Sequence, residues 1–197
     1  MKYYVYGAGG HGCVVADAVE ASGGVVLGFL DDTADPRAQR LYWCIIRPRE
    51  VDESAPRVHG IGANGVRRRL QEASPIFGNV VHPAASVSRY AVIGAGTVVL
   101  AGAVINAGAH IGKGCIVNTS AVVEHDVVLG DYSHVAPRSV LLGGVHIGVG
   151  VFVGAGAVVL PGMPVGDNAV VGAGAVVTKA VQAGERVVGV PARRLCK

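Results

Sequence analysis

The C-terminal half of the chain carries an aliphatic residue at every sixth position. Stepping by six from Val87 to Val177 meets only Val, Ile or Leu, sixteen times without a break. A period of six matches neither the repeat of an α-helix nor the heptads of a coiled coil, and it is typical of a parallel β-helix. Glycine often follows the aliphatic residue, as at Ile93-Gly94, where it lets the chain turn a corner. The pattern therefore predicts an all-β parallel helix in this half.

The N-terminal third alternates strand-like and helix-like segments. Residues 3–6 and 25–30 have the pattern of buried strands, with a helix over residues 13–22 between them. The turn Gly7-Ala8-Gly9-Gly10-His11-Gly12 follows the first strand, and Asp31-Asp32 follows the second. Such a turn presents backbone N–H groups to phosphates, and an acid about twenty residues later binds the ribose. We predict an α/β, Rossmann-like nucleotide-binding domain.

A third strand, over residues 58–61, leads through Gly62-Ala63-Asn64 into a second helix. This helix carries Arg67-Arg68-Arg69, which we interpret as a solvated face rather than a phosphate site. About eighty residues precede the repeat, enough for one nucleotide-binding half but not for a full dinucleotide fold. A nucleoside diphosphate sugar fits this space better than NAD. We predict domains at residues 1–80 and 81–197, with His82-Pro83 near the junction, and we assign no structure to residues 33–57.

Composition excludes several classes of protein. The chain has 197 residues, of which 51% are hydrophobic, and this argues against disorder. A net charge of +3 without aromatic residues among the basic ones argues against nucleic-acid binding. The four cysteines form no C-x-x-C pair, which disfavours a zinc knuckle or a secreted disulfide framework. Because we find neither a signal-peptide pattern nor a membrane-spanning apolar stretch, we expect a cytoplasmic protein that does not bind membranes.

The densest polar interruption of the repeat is the segment from Asn118 to Asp126. Within it, His125 is the candidate general base, because neutral imidazole takes up protons near neutral pH. In an extended strand the acids on either side of His125 would point away from its ring. An acid can therefore orient the ring only if the chain bends at a corner here.

The ordered set of motifs resembles a known family along the whole chain. The motifs are Tyr6-Gly7-Ala8-Gly9-Gly10-His11-Gly12, Phe29-Leu30-Asp31-Asp32, Ile61-Gly62-Ala63-Asn64, Asn118-Thr119-Ser120, Glu124-His125-Asp126, Gly130-Asp131-Tyr132-Ser133-His134-Val135 and Gly189-Val190-Pro191-Ala192. Together they resemble the sugar N- and O-acetyltransferases that include the bacillosamine-pathway enzyme and the sialic acid O-acetyltransferases. The resemblance implies a left-handed β-helix with three hexads in each coil, and thus five coils between Val87 and Val177.

The same resemblance implies roles for individual residues. His125 would deprotonate the acceptor. Asp126, at a position where many relatives carry Glu, would raise the basicity of His125. Asn118 would be a positioning residue. The nucleotide-sugar would be held by Gly9, Gly10, His11, Asp31, Asp32 and Gly62. The co-substrate acetyl-CoA would be held by His134, Gly143, Ala155 and Ala173. No metal is implied, and the resemblance implies a homotrimer with active sites between subunits.

The coil length gives a further inference about Gly143. This residue lies eighteen positions after His125 and should stack beside it one coil later. Its backbone N–H is therefore a candidate donor to the oxyanion of the tetrahedral intermediate. For the phosphates of acetyl-CoA, the candidate cations near the C-terminal end are Lys179, Arg186, Arg193 and Arg194.

Several alternatives remain open at this stage. We favour N-acetylation of a UDP-4-amino-4,6-dideoxy sugar or of GDP-perosamine in bacterial glycan biosynthesis, and the main alternative is O-acetylation of sialic acid. A γ-class carbonic anhydrase uses the same β-helix with three zinc-binding histidines, but no two of His110, His125, His134 and His146 have its five-residue spacing. A nucleotidyltransferase would need a basic glycine-rich loop, which is missing, and a purely structural β-helix would not need the polar segment around His125.

Overall fold

The computed structural model describes residues 1–33, 39–40, 43–46, 51, 55–74 and 77–195, and of residues 39–40 and 43–46 the backbone alone. Most of the segment to which we assigned no structure, residues 33–57, lies outside these ranges.

Within the described ranges, the N-terminal domain contains a five-stranded sheet and two helices. Its strands have the order β3-β4-β2-β1-β5, and all neighbours are parallel except β3 and β4. The predicted α/β domain is confirmed, although α1 begins three residues earlier than expected because the glycine turn itself enters the helix. The elements are β1 Lys2–Tyr6, α1 Gly10–Ala21, β2 Val25–Leu30, β3 Gln39–Arg40, β4 Trp43–Ile46, β5 Arg57–His59 and α2 Asn64–Ala73.

The C-terminal domain is a triangular β-helix whose strands stack in three faces. The covered face, against which the N-terminal domain packs, contains β6 Val80–Val81, β9 Val98–Val99, β12 Ile116–Val117, β15 His134–Val135, β18 Phe152–Val153, β21 Val170–Val171, β23 Arg186–Val188 and the antiparallel β24 Arg193–Arg194. The valine face contains β7 Ser86–Val87, β10 Val104–Ile105, β13 Val122–Val123, β16 Val140–Leu141, β19 Val158–Val159 and β22 Val176–Val177. The histidine face contains β8 Val92–Ile93, β11 His110–Ile111, β14 Val128–Leu129, β17 His146–Ile147 and β20 Pro164–Val165.

The register of the strands confirms the eighteen-residue coil. Val104 pairs with Val122, and Ile105 with Val123, so each residue stacks on the one three hexads later. The second residue of a typical strand, such as Ile105 or Val123, is buried inside the coil, while the first faces outward. Neighbouring coils are spaced at about 4.8 Å, as strands in a sheet are.

The β-helix is longer than the five coils that the sequence predicted. It makes about six turns, beginning at Val80 and ending with β23. Near its end Val165 pairs with Val181, sixteen rather than eighteen residues away, because the corner around residues 178–180 is two residues shorter. This break in the six-residue period explains why the pattern alone stopped at Val177.

Three stacked corners join the faces. The first corner, which includes residues 118–120, joins the covered face to the valine face. The second, which includes residues 124–126, joins the valine face to the histidine face, and the third, which includes residues 130–132, leads back to the covered face. On the covered face, Val15 and Phe29 of the N-terminal domain share one buried cluster with Val98 and Leu100. This packing places the edge for which the sequence predicts nucleotide binding beside the first corner.

Candidate active site

His125 and Asp126 form a hydrogen-bonded pair at the second corner. His125 Nδ1 lies 2.8 Å from Asp126 Oδ2. A carboxylate only accepts, so Nδ1 carries the proton and Nε2 is left as the basic nitrogen. The chain bends at this corner, and this bend is what we expected to be necessary for an adjacent acid to orient the His125 ring.

The backbone of Asp126 has a left-handed conformation, with φ of 59°. The residues stacked with it in neighbouring coils are glycines with positive φ, Gly108, Gly144 and Gly162. Aspartate adopts this conformation less readily than glycine, although more readily than most other residues. In an extended strand the side chains of neighbouring residues point to opposite faces, so this bend of the backbone accompanies the side-chain pair.

Gly143 stacks directly against His125, as predicted from the coil length. Gly144 N–H donates to the His125 carbonyl at 3.0 Å. A Cβ added at Gly143 would lie 2.5 Å from His125 Nε2. In the part of the chain that the structure describes, no protein group accepts a hydrogen bond from Gly143 N–H. A basic nitrogen and an unused backbone donor therefore lie side by side.

The electrostatics of the corner favour a charged imidazole. The hydrogen bond to Asp126 raises the pKa of His125 above its ordinary value, and the negative charge of Asp126 adds to the effect. Both side chains are largely exposed, 64% for His125 and 72% for Asp126. The pair therefore opens onto the surface of the single chain.

The other predicted residues of the coil lie beside the first corner. His134 is buried on the covered face, where its Nδ1 donates to the Gly62 carbonyl at 3.3 Å. The N–H of Thr119 donates to Asn118 Oδ1, which fixes the orientation of the Asn118 amide. Asn118 Nδ2 therefore faces His134 and donates to its Nε2 at 3.0 Å. His134, Asn118 and Gly62 thus connect the N-terminal domain to the coil. His11 lies close by, with its ring centroid 6.2 Å from that of His134.

These histidines are held neutral. Burial, followed by the nearby charge of Arg67, lowers the pKa of His11 to about 4 and that of His134 to about 3. Neutral His11 also keeps a buried Nε2 that has no hydrogen-bond partner among the residues that the structure describes.

The predicted nucleotide edge forms a cavity of about 230 Å³ between Tyr6, Asp31, Asp32, Ile61 and Leu70. Asp31 shapes the glycine turn by accepting from Ala8 N–H at 3.0 Å. Asp32 accepts from the Tyr6 hydroxyl at 2.8 Å. The apolar wall from Ile61 and Leu70 suits a nucleobase, while the acids suit ribose hydroxyls.

The glycine turn is open at the start of α1. A Cβ added at Gly9 or Gly10 would meet no atom within 4 Å. The helix has no side-chain cap and no acid in its first turn. Its first N–H groups and the positive end of its dipole are therefore available to phosphates.

The acetyl-CoA residues predicted from the resemblance lie on two different corners. Ala155 and Ala173 are exposed on the first corner, whereas Gly143 is on the second. One side of the coil separates the corners, a distance of up to about 20 Å for six residues. The same separation divides His125 from Asn118 and His134, so one chain does not bring these residues together.

Most of the predicted cations meet in a second cavity. Lys179, Arg193 and Arg194 line a space of about 230 Å³ at the C-terminal end of the β-helix. Arg186 is exposed on β23 and is not among the lining residues. Lys179 belongs to the second corner, below His125 and Gly143.

The interpretation of Arg67 as a solvated residue is wrong. Its side chain is fully buried between the two domains and donates to backbone carbonyls of both, while Arg68 is exposed and pairs with Glu72. The spacing of Asn64, Arg67 and Gln71 along one helix face was the available signal, because all three contact the β-helix. A run of three arginines concealed it.

No cluster that could hold a metal ion occurs within the described ranges. His110 and His146 both face outward from the histidine face, with Val128 between them. Among the helices that the structure describes, none is long and apolar enough to cross a membrane.

The fold and the site together define a class. A triangular hexapeptide β-helix with a hydrogen-bonded His–Asp pair at a corner, joined to a small α/β domain, is the arrangement of a hexapeptide-repeat acyltransferase. The family models agree: residues 2–73 match the PglD N-terminal domain, residues 108–143 the bacterial transferase hexapeptide of six repeats, and residues 144–179 the hexapeptide repeat of succinyl-transferase.

Solved structures identify the family within this class. The acetyltransferase domain of PglB from Neisseria gonorrhoeae is 35% identical, with a TM-score of 0.93 over 98% of this chain and 99% of that domain. PerB from Caulobacter crescentus, solved with CoA and GDP-perosamine, is also 35% identical, with a TM-score of 0.90 over 100% of this chain and 98% of PerB. The chain belongs to the PglD/PglB and PerB family of sugar N-acetyltransferases, which confirms the predicted resemblance.

A curated relative gives the same result over a shorter alignment. The UDP-N-acetylbacillosamine N-acetyltransferase of Bacillus subtilis is 38% identical over 107 residues, which are 49% of this chain. The match spans only half the length of that enzyme, 50%.

Proposed function

We propose that this protein transfers the acetyl group of acetyl-CoA to the 4-amino group of a nucleotide-linked 4-amino-4,6-dideoxy sugar. A UDP-linked sugar or GDP-perosamine is the acceptor class, and the PglB, PerB and bacillosamine-pathway relatives support this choice. The single observation that carries the proposal is the oriented pair of His125 and Asp126 beside Gly143.

His125 acts as the general base. Its Nε2 takes a proton from the neutral sugar amine as the amine nitrogen attacks the thioester carbonyl. Asp126 holds the ring by accepting from Nδ1–H and stabilises the imidazolium that forms. The imidazolium then returns the proton to the thiolate as the C–S bond breaks. One proton thus passes from the amine to free CoA, and the acetyl group passes to nitrogen.

Gly143 stabilises the intermediate. Its N–H donates to the oxygen that becomes negative as the tetrahedral centre forms, and one such donor is worth about 3 kcal/mol. The absence of a side chain at this position also leaves room for the His125 ring.

The N-terminal domain binds the nucleotide-sugar. The nucleobase occupies the cavity beside Ile61, and the carboxylates of Asp31 and Asp32 lie near the ribose. The diphosphate accepts hydrogen bonds from the N–H groups of the glycine turn at Gly9 and Gly10. The sugar then extends past His11 and Gly62 toward the first corner.

The second corner has the right length for acetyl-CoA. Lys179 lies three coils below His125, about 14 Å away at the spacing of β-strands. The pantetheine arm between sulfur and the first phosphate is about as long as four extended residues, again about 14 Å. With the thioester at His125, the phosphates would reach the cavity of Lys179, Arg193 and Arg194.

A trimer would unite the two corners. The valine face exposes a column of half-buried valines, and the first and second corners are its two edges. If three such faces meet around a three-fold axis, the contact is heterologous and the first corner of one chain adjoins the second corner of the next. His125 and Gly143 of one subunit would then act on a sugar held beside Asn118 of its neighbour, with acetyl-CoA lying along Ala155 and Ala173.

The test is release of CoA thiol from acetyl-CoA with a panel of UDP- and GDP-linked 4-amino sugars and with free sialic acid. We expect turnover of one amino sugar, falling by about a hundredfold or more in His125→Ala. His110→Ala, which removes an exposed histidine of the histidine face, is the matched control and should keep wild-type rates. Turnover with sialic acid alone would change the assigned reaction from N-acetylation to O-acetylation. An active His125→Ala variant would refute the assignment of His125 as the general base.

A further inference from the structure

Helix α2 is attached to the β-helix by polar side chains on one face. Asn64, Arg67 and Gln71 are spaced by three and four residues and therefore point the same way. Gln71 Nε2 donates at 2.9 Å, Arg67 Nε and Nη2 at 2.9 and 2.8 Å, and Asn64 Nδ2 at 2.8 Å. The four acceptors are the carbonyls of Ala95, Gly114, Tyr132 and Gly150, which belong to successive coils at the third corner.

This match follows from two repeat lengths. One helical turn rises 5.4 Å and neighbouring coils are about 4.8 Å apart, so Gln71 and Asn64 meet the two outer coils and Arg67, between them, meets the two inner ones. The helix consequently lies along the β-helix axis, and its height along that axis is fixed coil by coil.

Arg67 is the centre of the attachment. Its guanidinium is fully buried, and every acceptor that it contacts is an uncharged oxygen. Burial lowers its pKa to about 10, which leaves it a cation at neutral pH. A buried charge without a carboxylate partner depends on such hydrogen bonds, because each replaces the lost water.

The other side of the guanidinium contacts the nucleotide edge. Nη1 donates to the Gly62 carbonyl at 2.7 Å and to the Ile61 carbonyl at 3.3 Å. Nη2 also donates to Asn64 Oδ1 at 2.9 Å, which orients the guanidinium. The Gly62 carbonyl in addition accepts from His134, so the turn is held between Arg67 and the coil of Asn118.

We infer that Arg67 is a positioning residue that fixes the turn of Ile61 and Gly62, and with it the nucleotide-sugar, at one height along the β-helix. The inference rests on the proposed function, since it concerns where the bound sugar arrives. A displacement of the turn by part of a coil moves the amine away from the base, and small misplacements of a substrate reduce rates strongly.

The structure also distinguishes residues that fix the turn of Ile61 and Gly62 from residues that only attach α2 to the β-helix. Gln71 makes the same kind of hydrogen bond at the far end of α2, to Ala95 and His59, and within the described ranges it forms none with residues 61–62. Its loss removes an attachment and leaves the nucleotide turn in place. Gln71→Ala is therefore the matched control for Arg67.

The experiment measures steady-state kinetics of Arg67→Lys, Asn64→Ala and Gln71→Ala with the preferred nucleotide-sugar, below the unfolding temperature of each variant. Lysine keeps the charge but lacks the planar fork that serves both domains. For Arg67→Lys we expect the KM for nucleotide-sugar to rise about tenfold and kcat to fall, with the KM for acetyl-CoA within about twofold of wild type. Gln71→Ala should lower the unfolding temperature and leave both KM values unchanged.

Asn64→Ala keeps the inference testable if Arg67→Lys does not fold, because Asn64 orients the same guanidinium and its loss should raise the same KM. Unchanged nucleotide-sugar KM in a folded Arg67→Lys or Asn64→Ala variant would overturn the inference. An equal rise in Gln71→Ala would also overturn it, since attachment alone would then explain the effect. Wild-type protein that turns over no nucleotide-sugar would instead refute the proposed function.

Discussion

At the scale of single residues, the second corner shows a local conflict between folding and chemistry. Neighbouring coils place glycine where this chain has Asp126 with φ of 59°. An exposed hydrogen-bonded pair adds little to stability, and glycine would adopt the left-handed backbone at least as easily. Stability alone therefore does not account for this aspartate, whereas orientation of the His125 base does.

Replacing the aspartate tests this account through the pH profile. Asp126→Asn should fold normally, because asparagine tolerates the left-handed region. The carboxylate raises the pKa of His125, so its loss lets that pKa fall, and the base becomes neutral at lower pH. The acid limb of kcat/KM should move to lower pH, and the plateau should drop by about tenfold. An acid limb that stays in place would show that another group controls it.

At the scale of elements, we can test whether acetyl-CoA lies along the second corner, with its thioester at His125 and its phosphates at Lys179. Lys179→Ala should raise the KM for acetyl-CoA by about tenfold, since a charged hydrogen bond to phosphate is lost. The same variant should use S-acetylpantetheine, which has no nucleotide phosphates, as well as wild type does. Lys113→Ala, at the third corner, is the control. Equal damage with both acyl donors would contradict phosphate binding at Lys179.

The junction of β5 and α2 should make the protein sensitive to acid. His59 is fully buried, stacks on Phe77 at 4.0 Å and hydrogen-bonds Gln71 at 2.9 Å. Burial lowers its pKa to about 4, so below the ordinary value of 6.5 the unfolded chain binds a proton that the folded one does not. Stability is therefore lost as the pH falls from 6.5 toward 4.

Urea unfolding at pH 7.5 and pH 5 measures this effect. The contribution of His59 alone amounts to about 2 kcal/mol of lost unfolding free energy at pH 5. His59→Gln, which does not titrate, should be less stable at pH 7.5 but should lose less between the two values. An unchanged difference between the two pH values in this variant would contradict the prediction.

At the scale of the whole molecule, the valine face is predicted to assemble the active site. Val140→Lys places a charge in the middle of this face and should yield monomers in sedimentation equilibrium, with turnover lost, because burying an unpaired charge is costly. Val128→Lys places the same charge on the histidine face and should leave the trimer intact. A monomeric wild type, or an active monomeric variant, would contradict a site shared between subunits.

Mixed subunits test the sharing directly. His125→Ala and His11→Ala should each be inactive alone, because one lacks the base and the other part of the nucleotide-sugar site. Co-expressed in equal amounts, they should recover about a quarter of wild-type activity, since each site takes one half from each neighbour in a closed ring. A mixture that stays inactive would place both halves in one chain.

Periodic and local patterns in the sequence were enough to predict the architecture and to indicate the candidate reacting groups. A strict period of six shows which residues point into the coil, because alternate residues of a short strand face opposite sides and only one side is buried. The length of the coil then places Gly143 beside His125. The glycine turn and the acids near residue 31 likewise identify a nucleotide edge, because their spacing along the chain is that of a strand, a helix and a second strand. These are local or periodic signals, which a chain displays along its length.

How the parts are joined depends on contacts that form only in the folded protein. Whether Asp126 reaches His125 depends on a backbone bend, and whether Arg67 is solvated depends on which face of α2 meets the coil. The place of His134 beneath the N-terminal domain, and the separation of the two corners that carry the site, depend on the packing of one domain against the covered face. Contacts between segments distant in sequence have no period, so no pattern in one segment reveals them.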